Sequence, residues 1–144
     1  MNKEEYVTYE TAKLLKGKGF DWECNRYYLE RVSDNEPLLY PGSTMYGEDY
    51  NKRLQQDNLG IHINVSSGKI SAPTQQMACH WLYKEKGFYI AVLPCEKGFH
   101  AMIYHTGVSR YLEYLSLVQD KEHDNPTPQQ AIEAALQYCL TNLI

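Results

Sequence analysis

The chain has 144 residues, 43% hydrophobic and 22% charged, with 14 basic and 18 acidic side chains and a formal net charge of −4. A chain of this length hides about 70% of the surface that its unfolded form exposes, enough for a core without disulfides or a structural metal. No apolar run approaches the ~18 residues of a membrane span, the opening MNKEEYVTYE has no signal-peptide stretch, and the acidic balance argues against bulk phosphate binding, which needs clustered Lys and Arg.

In chain order, the first element is a short helix. Thr8 is placed to cap it, Val7 to pack on Ala12, and Glu10 to Leu15 form its body, with Gly17 or Gly19 closing it. Phe20 leads into a strand-like segment, Trp22 to Val32, rich in aromatic and β-branched types. From about residue 33 to 70 the pattern breaks at Pro37, Pro41, Gly42, Gly47, Gly60 and Gly68. Within this irregular excursion only Ile61 to Val65 alternates cleanly, with His62 and Asn64 on the polar face. A loop this long in a small domain is uncommon and, when ordered, is usually functional or a partner surface.

A second helix is predicted with Pro73 at its first position, Met77, Ala78, Trp81 and Leu82 on the apolar face, Gln76, His80 and Lys84 opposite, and a stop at Gly87. Phe88 to Leu93 is apolar on both faces and reads as a central or covered strand. Cys95 to Gly98 forms a hairpin connection, and Phe99 to His105 is the return strand. The tripeptide Lys-Gly-Phe occurs at Lys18, Lys86 and Lys97, each time as a reversal before a strand. Tyr111 to Val118 suits helix or strand and is assigned as a third strand of a meander. Thr127, Pro128 and Gln130 then mark the start of a final helix, whose stripe is Ile132, Ala135, Leu136, Cys139, Leu140 and Leu143.

Chemistry is sparse. Cys24, Cys79, Cys95 and Cys139 show no C-x-x-C pair and no finger-type histidine spacing, so a zinc module is disfavoured and free thiols in the cytoplasm are expected. A cysteine nucleophile needs a base, and the pair to weigh is Cys95 with His100 or His105, which flank one hairpin. His100 and His105 are five apart on one strand and point to opposite faces, so they do not converge on one metal. Neither a nucleotide-binding loop nor a hydrolase elbow is present, and no cofactor is expected.

The outstanding count is tyrosine, 13 against 3 Phe and 2 Trp. Tyrosine gives large contact area at low entropic cost and is enriched at interfaces. Tyr40, Tyr46 and Tyr50 in the excursion, with Tyr89 and Tyr104 on the hairpin, are therefore the candidate binding residues. The competing reading of these tyrosines is a core layer under a helix.

Tyr6-Val7, Glu10 to Leu15, Gly19-Phe20-Asp21, Cys24, Tyr27-Tyr28, Ser71 to Thr74, Met77, Trp81-Leu82 and the closing segment Ala131 to Ile144 form a pattern. It resembles small uncharacterised proteins of Bacteroides-type bacteria and their phages or integrated elements. The resemblance implies a cytoplasmic or phage-context protein and assigns no catalytic residue. The expected architecture is one α+β domain over 1–144, an antiparallel sheet of about four to five strands with helices mainly on one face. The expected function is non-enzymatic binding of another protein, or self-association, through the excursion or the exposed sheet face. The alternative is a small cysteine-dependent enzyme.

Overall fold

The structure, a computed structural model, describes residues 5–30, 38–42, 47–51, 54–56, 63–65, 68–106, 112–116 and 125–144. Helix α1 (Tyr9–Gly17) starts where Thr8 is extended and its hydroxyl accepts the Thr11 N–H at 3.3 Å. Its buried face is Thr11, Ala12 and Leu15. Strands β1 (Arg26–Leu29), β2 (Leu39–Pro41) and β5 (Lys69–Ser71) make one antiparallel sheet in the order β2-β1-β5. Between them in sequence, β3 (Leu54–Gln56) and β4 (Ile63–Val65) pair with each other.

Helix α2 (Gln75–Trp81) is capped by the Thr74 hydroxyl, which accepts the Met77 N–H at 3.2 Å. The expectation that Pro73 opens this helix is corrected. Thr74 is extended and supplies the cap, while the Pro73 carbonyl accepts the Val7 N–H at 3.0 Å, tying the start of α2 to the chain before α1. A π-helical turn, Leu82–Lys86, continues α2 and stops at Gly87, whose φ of 79° is left-handed. Strands β6 (Phe88–Cys95), β7 (Gly98–Thr106) and β8 (Leu112–Ser116) form the predicted meander. Thr127 caps α3 (Pro128–Tyr138) by accepting the Gln130 N–H at 3.2 Å, and a second π turn, Cys139–Leu143, ends it.

The chain is thus α+β with antiparallel pairing. It does not build the single sheet of four to five strands expected from sequence: the described residues hold eight strands in three sheets. The reason lies in the helix between β5 and β6. After β5 the chain turns into α2 and re-emerges at Gly87 to start a new ladder, so the two three-stranded sheets never share a strand. Helix α1 packs on β5 of the first sheet, α3 packs on β6 and β7 of the second, and α3 also meets both α1 and α2. One buried cluster runs through this arrangement, with Val7, Leu15, Phe20, Ile70, Trp81, Leu82, Ile103, Leu136 and Leu140 almost fully hidden. Trp81 and Phe20 meet edge to face at 5.5 Å.

Gly98 shows why the hairpin needs glycine. Its φ is 147°, and a Cβ there would collide with the Asn125 carbonyl, which also accepts the Phe99 N–H at 2.8 Å. The close approach lets Asn125 bridge to Phe99 just before α3 begins.

Candidate functional site

A cavity of about 780 Å³ lies between α2, the start of α3 and strand β6. It falls within the ~300–1,000 Å³ range of ligand clefts. One wall is the face of α2 that carries Gln76, Cys79, His80 and Tyr83, and the other is Ile90 and Val92 of β6, with Ile132 of α3 between. Gln75 braces the corner: its amide donates to the Gln129 carbonyl at 2.9 Å and to Glu133 Oε1 at 3.0 Å, joining α2 to α3. Tyr83 and Tyr89 stand at the cleft, 46% and 52% exposed, their rings edge to face at 5.7 Å.

The second feature of the site is the edge of β6. Residues pair so that Phe88 faces His105, Ile90 faces Ile103 and Val92 faces Ala101. The Thr106 N–H donates to the Gly87 carbonyl, whereas Phe99 exchanges both backbone bonds with Asn125 on the far side of β7. In an antiparallel ladder such bonding alternates residue by residue. Even-numbered β7 residues therefore bond β6, and within β6 it is Tyr89, Ala91, Leu93 and Cys95 that bond back. Phe88, Ile90 and Val92 point their N–H and C=O groups outward, where no described strand pairs with them. Pro94, which has no N–H, occupies the next outward position, where a proline removes no ladder bond.

This corrects the expectation of a central or covered strand. Phe88, Ile90 and Val92 do pack on the core, but Tyr89 and Leu93 are 52% and 43% exposed, and among the described residues β6 is an edge. Apolarity on both sides reflects one face turned to α3 and one face left open.

The cleft carries few ionisable groups, among them the His80 imidazole. No Lys or Arg lines it, and Glu5 does. Burial, reinforced by the negative charge of Glu133, pushes the Cys79 thiol up to about 12. Burial likewise raises Cys24 and Cys139 to about 12. These three are neutral thiols at physiological pH rather than nucleophiles.

Cys95 ends β6 opposite Gly98, and its register places it on the same face as His100. His105 lies at the other end of the hairpin and on the opposite face, stacked on Phe88 at 4.4 Å. The described hydrogen bonds include none between Cys95 and either imidazole. Among the described residues no group of three or more His, Cys, Asp or Glu side chains gathers into a metal-binding cluster.

No family model, curated protein or solved structure matches the chain. The site is therefore read from its own residues.

The candidate tyrosines divide. Tyr46 lies outside the described residues, as do His62 and His123. Tyr40 stacks on its cross-strand partner Tyr27 at 5.6 Å. Tyr50 is corrected from surface to core: it is 4% exposed, its ring lies 4.9 Å from Tyr27, and its N–H donates to the Ser71 hydroxyl at 2.9 Å. Asn51 fixes the same segment, donating to the Phe20 carbonyl and accepting the Ser71 N–H, each at 2.9 Å. Tyr89 and Tyr104 are directly paired across β6 and β7, on the sheet face away from α3 together with Ala91, Leu93, His100 and Met102. Sequence reasoning named Tyr89 and Tyr104 as candidates but not Tyr83, Gln75, Cys79 or Ile132. Only the polar stripe Gln76, His80 and Lys84 beside Tyr83 signalled that α2 has an open side.

Proposed function

We propose that the chain is a non-enzymatic protein-binding module that receives part of a partner in the cleft between α2 and the β6 edge, in the phage or mobile-element setting that its resemblance implies. One observation carries this reading: the exposed Tyr83–Tyr89 ring pair sits at a cleft that runs beside an unpaired strand edge. Exposed aromatics gathered at one concavity are typical of binding anchors, whereas scattered apolar surface residues are not. For the alternative, Cys95 with His100 or His105, the register leaves His105 remote from Cys95 and His100 on the same face, with no hydrogen bond between them among those described.

The test is affinity capture on the immobilised full chain, with partners identified by mass spectrometry, followed by a Tyr83→Ala/Tyr89→Ala double variant. Both side chains are exposed, so the variant keeps the wild-type circular dichroism. Its affinity for the captured partner should fall at least about tenfold, equivalent to about 1.4 kcal/mol. Equal retention by the double variant would move the site elsewhere.

A further inference from the structure

We propose that the occupant of the cleft is an extended, neutral-to-basic segment of the partner protein that adds a strand to β6, its backbone paired with Phe88, Ile90 and Val92 and every second side chain entering the cavity. This rests on the protein-binding reading above and names the chemistry of what is bound.

Three features lead to it. Outward N–H and C=O groups recur at every second residue of β6, the spacing to which an added strand bonds. The side chains of Ile90 and Val92 line the cavity, so a neighbouring strand in register directs its own alternate side chains to the same side, between α2 and Ile132 of α3. Third, the lining offers amides, the Thr74 hydroxyl, the His80 imidazole and the two tyrosines among apolar groups, with Glu5 on the lining and Glu133 behind Gln75 and without a lysine or arginine. A carboxylate entering there would lose water and meet no lysine or arginine, with His80 the one imidazole on the wall, whereas basic flanking residues meet the charge of Glu5.

The fold also sets the length. Gly87 commits its N–H to the Tyr83 carbonyl and its own carbonyl to Thr106, and Pro94 has no N–H to offer. Pairing is confined to the window from Phe88 to Pro94, which suits a segment of about five residues at ~3.4 Å per residue.

The experiment uses the isotope-labelled full chain and four amidated heptapeptides: KTVTVTK, the same peptide N-methylated at its two valines, KTDTDTK and ETVTVTE. KTVTVTK should shift the backbone amides of Ile90 and Val92 together with the side-chain signals of Ile132 and Tyr83. Methylation, which removes the strand's donors, and Asp at the inward positions should each weaken binding at least tenfold. ETVTVTE should bind more weakly than KTVTVTK at low salt, the two converging as salt is raised. An Ile90→Pro variant removes an outward N–H without touching the β6–β7 ladder and should lose the peptide. If that variant does not fold, the N-methylated peptide carries the same test. The proposal is overturned if the methylated or Asp peptide binds as well as KTVTVTK, or if no peptide shifts Ile90 and Val92 at millimolar concentration. It is also overturned if the protein alone dimerises through these amides. Partner capture that depends on Tyr83 and Tyr89 but survives Ile90→Pro would reject strand addition while leaving the protein-binding reading intact.

Discussion

Glu133 caps a helix to which it does not belong: its Oε1 accepts the backbone N–H of Thr8 at 3.2 Å across 125 positions of sequence. Its Oε2 lies 2.6 Å from the Thr11 hydroxyl and 3.1 Å from that of Thr8. In a capping box the third helical residue is a Glu or Gln that reaches back to the cap N–H. Here that residue is Thr11, and α3 supplies the missing carboxylate. The negative charge also meets the positive end of the α1 dipole. Because Gln75 donates to the same group, one side chain holds α1, α2 and α3 together.

Replacing Glu133 with Ala should therefore cost about 1–3 kcal/mol, since it removes the acceptor of the partly buried Thr11 hydroxyl and Gln75 amide at once. Glu133→Gln, which keeps the shape and one acceptor, should cost less. Urea denaturation followed by far-ultraviolet circular dichroism measures both, with the midpoint falling and the slope unchanged. An unmoved midpoint for Glu133→Ala would show that this network does not stabilise the fold.

High pH should destabilise the protein through its buried acids. Burial raises Cys24, Cys79 and Cys139 from 9.0, and Tyr28 from 10.0, to about 12. For an acid whose folded value is raised, the unfolded chain loses its proton first, so the contribution is complete below the unfolded value and disappears as pH climbs through the folded one. The urea midpoint should hold steady up to about pH 9 on this account and then fall towards pH 12. Iodoacetamide at pH 8 should label Cys24 and Cys139 far more slowly in the native protein than in urea. Rapid native labelling of these two would contradict their burial.

Two glycines give opposite expectations. Gly98→Ala forces a side chain into a left-handed conformation and against the Asn125 carbonyl, with an expected loss of about 1–3 kcal/mol. Gly17 ends α1 with open space where a Cβ would stand. There Ala should stabilise by about 0.5–1 kcal/mol, because it reduces the freedom of the unfolded chain. Thermal melting of the two variants separates the cases by sign.

Neighbouring positions of α3 should likewise diverge. Leu136 is fully buried, and Leu136→Ala should cost about 2–5 kcal/mol by opening a cavity. Tyr138 is 41% exposed, and Tyr138→Ala should stay within about 0.5 kcal/mol of wild type. Chemical denaturation of both checks which side of the helix faces the core.

Local signals were legible in the chain, and convergent ones were not. Thr8 and Thr127 announced their helices because a cap is a property of three or four adjacent residues, and the hairpin at Gly98 was readable for the same reason. Thr74 was overlooked because the neighbouring Pro73 matched a helix start equally well, and only the bond from Val7 decides between them. Tyr50 looked like surface within an irregular stretch; Asn51 and Ser71 bury it through contacts about 20 residues apart. The edge position of β6 was hidden for a deeper reason. Phe88 to Leu93 satisfies the hydrophobic pattern of a covered strand, and pairing partners are not encoded in the strand itself. The cleft is a product of three elements meeting, so no window of sequence contains it. Nothing short of the fold reveals that Glu133 answers Thr8.

Pro94 has a consequence for the protein in crowded solution. An open sheet edge is a template for unlimited growth, in which each recruited chain exposes the next row of donors. On β6 that row ends after Val92, because the proline in the following outward position has no hydrogen to share. Among the described residues the donor row on this edge is three residues long, and the proline guards its end against further edge-to-edge pairing.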